Sequence, residues 1–250
     1  MALSKRTVLT CLWRTTHINA AMTTRGMQQI GLTYVLAPAL EELYQEPEAR
    51  VRAFARYAEH SNTHAFMLPC YAGILIAMES QIARNAMPEA LMTQLRQTLA
   101  RTLSALGDGF FSGALRTLWA LIAICLVLEG HTIAAAVFTA ILLAMLEHFR
   151  AIGFFYCLNN GIAALKRLRS IDLISWTERI KIFNAGLVCL TLLCIIDTST
   201  IDWPWEGKMG LVASVPLCSW LVGRLHIPRE LVWIMALGFF ILLDEGLIHL

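Results

Sequence analysis

Charge is what this sequence has least of. Asp, Glu, Lys and Arg make up 15% of its 250 residues, where a soluble globular domain carries about 25%. So few ions cannot cover a water-exposed surface, and a soluble enzyme or soluble binding domain is excluded. Neither sign dominates: 20 basic and 18 acidic residues leave a net charge of +2. There is no basic field and no case for nucleic acid as a partner. Cys-x-x-Cys pairs are absent among the seven cysteines, Cys11, Cys70, Cys125, Cys157, Cys189, Cys194 and Cys218. Most sit in apolar runs, where a thiol acts as a small hydrophobe. Structural thiols are expected, and neither a disulfide framework nor a zinc site. Residues 1–16 are polar and basic and lack a long apolar stretch, so no cleaved secretory signal is expected. No short repeat and no low-complexity linker is present.

What is abundant is apolar. Hydrophobic residues reach 57% and the mean hydropathy is +0.60. The apolar segments cover most of the chain, so a single unit is expected over 1–250. Residues 1–107 read as polar and amphipathic helices with short apolar segments, and 108–250 as mainly membrane helices. The expected fold is an all-α polytopic integral membrane protein. Several of its transmembrane or re-entrant helices are expected to be short or broken.

In the second half, Leu115–Leu128 is apolar apart from Arg116 and Thr117, Glu129-Gly130-His131 interrupts, and Ile133–Leu146 is apolar again. Each run is short for a helix crossing ~30 Å of hydrocarbon, which takes roughly 20 residues. A broken pair, re-entrant segments or helices packed inside protein all fit. Further apolar runs are Ile182–Ile196, Gly210–Val222 with Pro216 inside, and Leu231–Leu243 before Asp244 and Glu245. The stretch 150–181 holds Arg150, Lys166, Arg167, Arg169, Arg179 and Lys181, while 197–208 has Lys208 as its one basic residue. Basic bias in short loops sets orientation. It puts 150–181 in the cytoplasm, 197–208 outside, Arg224 and Arg229 back inside, and the C-terminus outside. Trp203, Trp205, Trp220 and Trp233 flank these runs as interfacial anchors do.

In the first half, Pro47–Glu59 reads as a helix that starts on proline. Pro88–Leu106 repeats Leu91, Leu95, Leu99, Leu103 and Leu106 at helical spacing, with Gly107 as a stop. Its other face carries Gln94, Arg96, Gln97 and Arg101 and suits a membrane surface or a partner helix. Phe66–Met78 is apolar and too short to span alone.

Several segments, taken in order, resemble the IID subunit of mannose-family sugar phosphotransferase systems. They are Leu12-Trp13-Arg14; Met27-Gln28-Gln29-Ile30-Gly31; Ala37-Pro38-Ala39-Leu40 through Leu43-Tyr44; Asn62-Thr63-His64-Ala65-Phe66; GILIAMESQ from Gly73; and LGDGFFSGALR from Leu106. Asn160-Gly161 and the amphipathic 165–182 match in kind only. The resemblance covers nearly the whole chain. It departs from the family pattern at Asn19, Thr23, Ser80, Ser112 and Thr117, which bears on substrate identity and on activity.

The resemblance implies a permease subunit of a bacterial inner membrane. With a IIC subunit it would form the path of a mannose-class sugar, as a trimer of IIC–IID pairs. IIA and IIB domains would phosphorylate the sugar in the cytoplasm through phosphohistidine. The IID subunit itself would carry no phosphohistidine, no catalytic residue, no metal and no cofactor. Membrane lipid would surround it. A divergent or vestigial subunit that assembles with IIC without transporting is the alternative.

A sugar is a ring of hydroxyls with an apolar face, so its site needs carboxylates and amides beside an aromatic surface. Asn62, Thr63 and His64 beside Phe66 have that character, as does Asp108 between Gly107 and Gly109 before Phe110 and Phe111. Glu79 ends an apolar run, where an ionisable group is costly and often functional. Gln28 joins the substrate-binding candidates. Bland readings stand beside these. Thr63 reads equally as a helix N-cap, with Asn62 ending the previous helix. Gly107-Asp108-Gly109 reads as a turn between helices. Glu79 reads as an ion-pair partner of Arg84 or Arg116, and Gln28 and Arg116 as contacts to IIC. His131 and His148 read as interfacial. An intramembrane enzyme using Asp108, His64 or Glu79 is disfavoured, because no two acid–base residues share a predicted apolar helix face at i, i+3 or i+4.

Overall fold

The computed structural model describes residues 3–198 and 204–225, together with Leu231 and Ile234. The described chain is all-α, with only isolated bridges joining Thr23 to Met27 and Met27 to Ser61.

The first half winds into a bundle. Helix α1 (Lys5–Arg14) is capped by Ser4, whose hydroxyl accepts from the Thr7 amide at 3.1 Å. A 3₁₀ stretch, Thr15–Ala21, leads on to α2 (Gln29–Leu43). Pro38 lies inside α2 and cannot donate to the Tyr34 carbonyl four residues back. Arg14 replaces that donor: its Nη1 donates to the Tyr34 oxygen at 2.8 Å, and its guanidinium lies 4.2 Å from the Tyr34 ring centroid. Helix α3 (Pro47–Ala55) starts on proline as expected but ends before Glu59. Helix α4 (Leu68–Ile82) is buried along nearly its whole length and forms the centre of the core. A helix that is apolar all round from Leu68 to Met78, and buried almost throughout, is a core element rather than a span.

Helix α5 (Glu89–Gly107) follows Pro88. Here the expected stop at Gly107 and the expected turn at Gly107-Asp108-Gly109 do not form. Gly107 and Asp108 both hold right-handed helical dihedrals. The chain continues through a π-helical stretch, Asp108–Leu115, directly into α6 (Arg116–Leu128). The result is one rod of 40 residues, Glu89–Leu128, about 60 Å long at helical rise. Glycine permits a turn without requiring one, and the wider π turn absorbs the local misfit within the helix.

Gly130, at φ 80°, turns the chain into α7 (Thr132–Asn160), 29 residues long. The two apolar runs expected to be short or broken are thus parts of longer helices. The helices part at Glu129-Gly130-His131, as the interruption of the pattern suggests, but each runs on past the other end of its apolar run. Gly161 (φ 54°) ends α7, and a 3₁₀ turn, Gly161–Ala163, leads to α8 (Ala164–Ile171). Asp172, in the left-handed region, precedes α9 (Leu173–Thr198), and α10 spans Trp205–Leu225 with Pro216 inside. The run Leu231–Leu243 apart from Leu231 and Ile234, the Asp244-Glu245 end, Trp203, Trp233 and Arg229 lie outside the described residues.

Helices α4 and α7 are joined most closely. A Cβ on Gly73 would lie 2.6 Å from the Phe154 carbonyl oxygen, so only glycine allows this crossing. Cys70 and Cys157 form a disulfide across the same crossing, with Cα atoms 5.3 Å apart. This corrects the expectation of structural thiols at those two positions. Their separation of 87 residues carries no local spacing signal.

The second half is exposed. No residue of α6 is buried, and on α7 only Ala135, Arg150, Phe154 and Cys157 are. Ile133, Val137, Ile141, Leu143, Met145, Ile182, Phe183 and Leu190 all face outward. Each such side chain would gain about 1.5–3 kcal/mol by leaving water. A band of this extent requires lipid or an apolar partner.

Candidate functional site

Glu79 is buried and fully engaged. Arg56 grips its carboxylate as a fork, Nε to Oε1 at 3.0 Å and Nη2 to Oε2 at 2.6 Å. The Tyr44 hydroxyl donates to Oε2 at 2.6 Å and the Tyr57 hydroxyl to Oε1 at 2.7 Å. Burial first, and then the neighbouring carboxylate, hold both phenols above their ordinary pKa, so they remain donors. The paired cation is therefore Arg56, from the end of α3, where the sequence suggested Arg84 or Arg116. A second carboxylate, Glu89, lies 3.0 Å from Arg56 Nη1. The network ties α2, α3 and α4 together at one point, and Glu79 itself lines none of the molecule's main clefts.

Gln28 and Thr63 are also buried and bound to each other. The Thr63 amide donates to Gln28 Oε1 at 2.8 Å, and Gln28 Nε2 donates to Asn19 Oδ1 at 3.1 Å. The Gln28 amide donates to the Ser61 carbonyl at 2.8 Å. Thr63 does not cap a helix: α4 starts at Leu68, and no side chain caps it. Asn19, one of the departures from the family pattern, is the far anchor of this bracket. Its effect is to pin the loop 56–67 that presents Asn62 and His64.

Those two residues line different spaces along the rod of α5 and the π stretch. Asn62 lines a cleft of about 560 Å³ with His60, Gln97, Arg101, Ser104 and Asp108. The Ser104 hydroxyl donates to Asp108 Oδ2 at 3.2 Å. Gln97, Arg101, Ser104 and Asp108 recur at helical spacing, so the π stretch begins on the same polar face that α5 presents. An amide, a guanidinium and a carboxylate here meet one open space. This is a donor and acceptor set suited to a polyhydroxylated ligand.

His64 faces an aromatic pocket of about 380 Å³ with Phe66, Phe111, Ser112, Arg116, Trp119 and Thr139. Its ring stacks on Phe111 at 5.3 Å, and its Nε2 lies 3.1 Å from the Ser112 hydroxyl. Burial holds the His64 pKa below its ordinary value, so the ring is neutral at pH 7. Gly107 packs against His64, and a Cβ there would lie 2.3 Å from His64 Cβ. Gly109 meets nothing within 4 Å of a Cβ position. The candidates thus divide into three groups: Asn62 and Asp108 in a polar cleft, His64 and Arg116 in an aromatic pocket, and Gln28, Thr63 and Glu79 in closed networks.

Sequence reasoning missed Tyr44, Arg56 and Tyr57, whose partner lies across the bundle and leaves no local signal. It also passed over Gln97 and Arg101 as lining of the Asp108 cleft, although their spacing to Asp108 was there to be read. Among the described residues, no group of three or more His, Cys, Asp or Glu side chains could hold a metal ion.

Comparison with known proteins places this geometry in a family. The model of the PTS system mannose/fructose/sorbose family IID component matches residues 2–201. The fructose permease IID component of Bacillus subtilis is 25% identical over 203 residues, covering 81% of this chain and 73% of that protein. The PTS system mannose-specific EIID component of Escherichia coli is 27% identical over 160 residues. That match covers 63% of this chain and 56% of the other. Two solved structures share the fold at 21% sequence identity. One, described as a membrane protein, has a TM-score of 0.75 and is covered over 97%, with 98% of this chain. The other, from the cryo-EM structure of the mannose transporter ManYZ with a microcin, has a TM-score of 0.60 over 98% of this chain and 96% of that one. The long exposed apolar helices, the ordered motifs and these matches agree: the chain belongs to the IID components of the mannose/fructose/sorbose family of phosphotransferase systems, non-catalytic membrane permease subunits of bacteria.

Proposed function

We propose that this chain forms, with a IIC subunit, the membrane path of a mannose-class sugar, and that the cleft holding Asn62 and Asp108 contacts the sugar. The observation that carries the reading is the shared cleft. Two residues 46 positions apart, each a candidate on its own motif, line one space with Arg101 and Gln97. Asp108 and Arg101 supply charge-assisted hydrogen bonds to hydroxyls, and Asn62 both donates and accepts. Gln28 and Thr63 act by positioning the loop, and Glu79 by locking α2, α3 and α4. Arg116 and the aromatic pocket lie beside the exposed apolar band, where a IIC subunit would pack. Assembly as a trimer of IIC–IID pairs, with phosphorylation by IIA and IIB domains, belongs to the same reading.

In this placement α6 runs outward, the Glu129–His131 turn lies outside, and α7 returns to the cytoplasm. The basic residues between 150 and 181 support that direction. With the same alternation, α9 crosses outward, α10 returns, and the apolar run of the sequence at Leu231–Leu243 crosses once more to leave the C-terminus outside.

Uptake of labelled hexoses and amino sugars, in cells lacking this chain and in cells with it restored beside its IIC partner, tests the proposal. Uptake of a mannose-class sugar that depends on the chain supports it. A stable complex that moves no sugar of the class supports the vestigial reading instead, for which the departure at Ser112, now bonded to His64, is the motive.

A further inference from the structure

A cleft of about 740 Å³ lies away from the proposed sugar site, between α1 and the C-terminal ends of α4 and α7. Its walls divide by chemistry. Val8, Leu9, Ile76, Phe155 and Leu158 make an apolar side, and Lys5, Ser80, Gln81, Arg84, Asn159 and Asn160 make a polar rim. Among the described residues, no carboxylate lines it. Lys5, Gln81 and Asn159 are exposed, and Lys5 makes no ion pair among the described residues. Leu9 and Phe155 are also exposed, so the apolar side opens outward rather than into the core.

The depth of this cleft is set by α7. Its 29 residues span about 43 Å at helical rise, close to the ~40–45 Å of a bilayer with its headgroups. With Thr132 at the outer surface, Asn160 lies at the level of the cytoplasmic headgroups. Gly161, also in the cleft wall, then turns the chain into α8. That helix packs Ala164, Leu165 and Leu168 against the core and exposes Lys166, Arg167 and Arg169. A cationic rim above an apolar wall, with more cations alongside, is complementary to a phosphate-bearing headgroup with acyl chains below it.

We propose that this cleft binds an anionic phospholipid of the cytoplasmic leaflet, its phosphate at Lys5, Gln81 and Asn159 and its chains along Leu9 and Phe155. The proposal rests on the membrane placement given above and not on sugar transport.

Native mass spectrometry of the full chain with its IIC partner tests it, with phosphatidylglycerol, phosphatidylcholine of the same chains, or inorganic phosphate added. Phosphatidylglycerol is expected to remain bound, and the other two are not. Lys5→Gln is expected to weaken retention about tenfold, the loss of one charge-assisted hydrogen bond, and Asn159→Ala less. Paired Lys166→Gln and Arg167→Gln changes on α8 should leave retention within a few-fold. Equal retention of phosphatidylcholine would overturn the proposal, and so would equal binding of inorganic phosphate. Loss on the α8 changes but not on Lys5→Gln would move the lipid to α8 and overturn the cleft. Sugar binding by the Lys5→Gln complex reports separately on the transport reading.

Discussion

Gly107 and His64 approach so closely that a methyl group on Gly107 would lie 2.3 Å from His64 Cβ and 2.5 Å from its Cγ. The root of a side chain cannot swing aside as its tip can. Gly107→Ala is therefore expected to push the His64 loop off the α5 rod, at the cost of an overpacked contact, about 1–3 kcal/mol. The check is a lowered melting temperature of the purified protein in detergent. Gly109→Ala, at an open position, should leave it unchanged or raised.

Glu79→Gln leaves the Arg56 guanidinium short of its main counter-charge inside the bundle. Breaking a buried pair from one side costs about 3–5 kcal/mol, so this variant is expected to accumulate poorly or melt early. A double change of Glu79→Gln with Arg56→Met, which removes both charges, should recover much of the loss. Melting curves of the single and double variants decide this. If the two were equally unstable, the Arg56–Glu79 pair would not be what holds α3 to α4.

His64 titrates against its surroundings. Its folded pKa lies below the ordinary value because burial disfavours the charged ring. A depressed folded pKa means that the contribution is complete above the unfolded value, ~6.5, and is lost as pH falls through the folded pKa. The melting temperature should therefore drop below about pH 6.5 by more in the native protein than in His64→Gln. Parallel pH profiles for the two proteins would remove His64 from this account.

Much of the architecture was legible in the sequence because apolar patterning reports burial directly. The all-α class, the starts of α3 and α5 at Pro47 and Pro88, and α9 and α10 around their apolar runs follow from it. Helix ends were harder. Arg116 and Asp108 end an apolar stretch, yet the helix runs on beneath them, because backbone hydrogen bonding does not depend on side-chain polarity. The Cys70–Cys157 bridge and the Tyr44–Arg56–Glu79 network join residues far apart in the chain, and local spacing cannot report such pairs. At the candidate site, the motifs picked out segments that the fold brings together. They could not say that Thr63 and Gln28 would bind each other while Asn62 and Asp108 face open space.

The Gln28 bracket makes a prediction of its own. Gln28→Ala removes the acceptor of the buried Thr63 amide, a loss of about 1–3 kcal/mol. Sugar affinity should fall with it although Gln28 is not in the cleft, and Gln28→Glu, which keeps the acceptor, should retain more. Equal effects of the two changes would argue against positioning through the Thr63 amide.

The most direct measurement is equilibrium binding of labelled hexoses and amino sugars to the purified complex of this chain with its IIC partner, native and with Asn62→Ala or Asp108→Ala. Saturable binding of a mannose-class sugar is predicted, weakened about 3–10-fold by the first change and about 10–100-fold by the second, the loss of a neutral and of a charged hydrogen bond. Binding that both variants retain at native strength would contradict the placement of the sugar in this cleft.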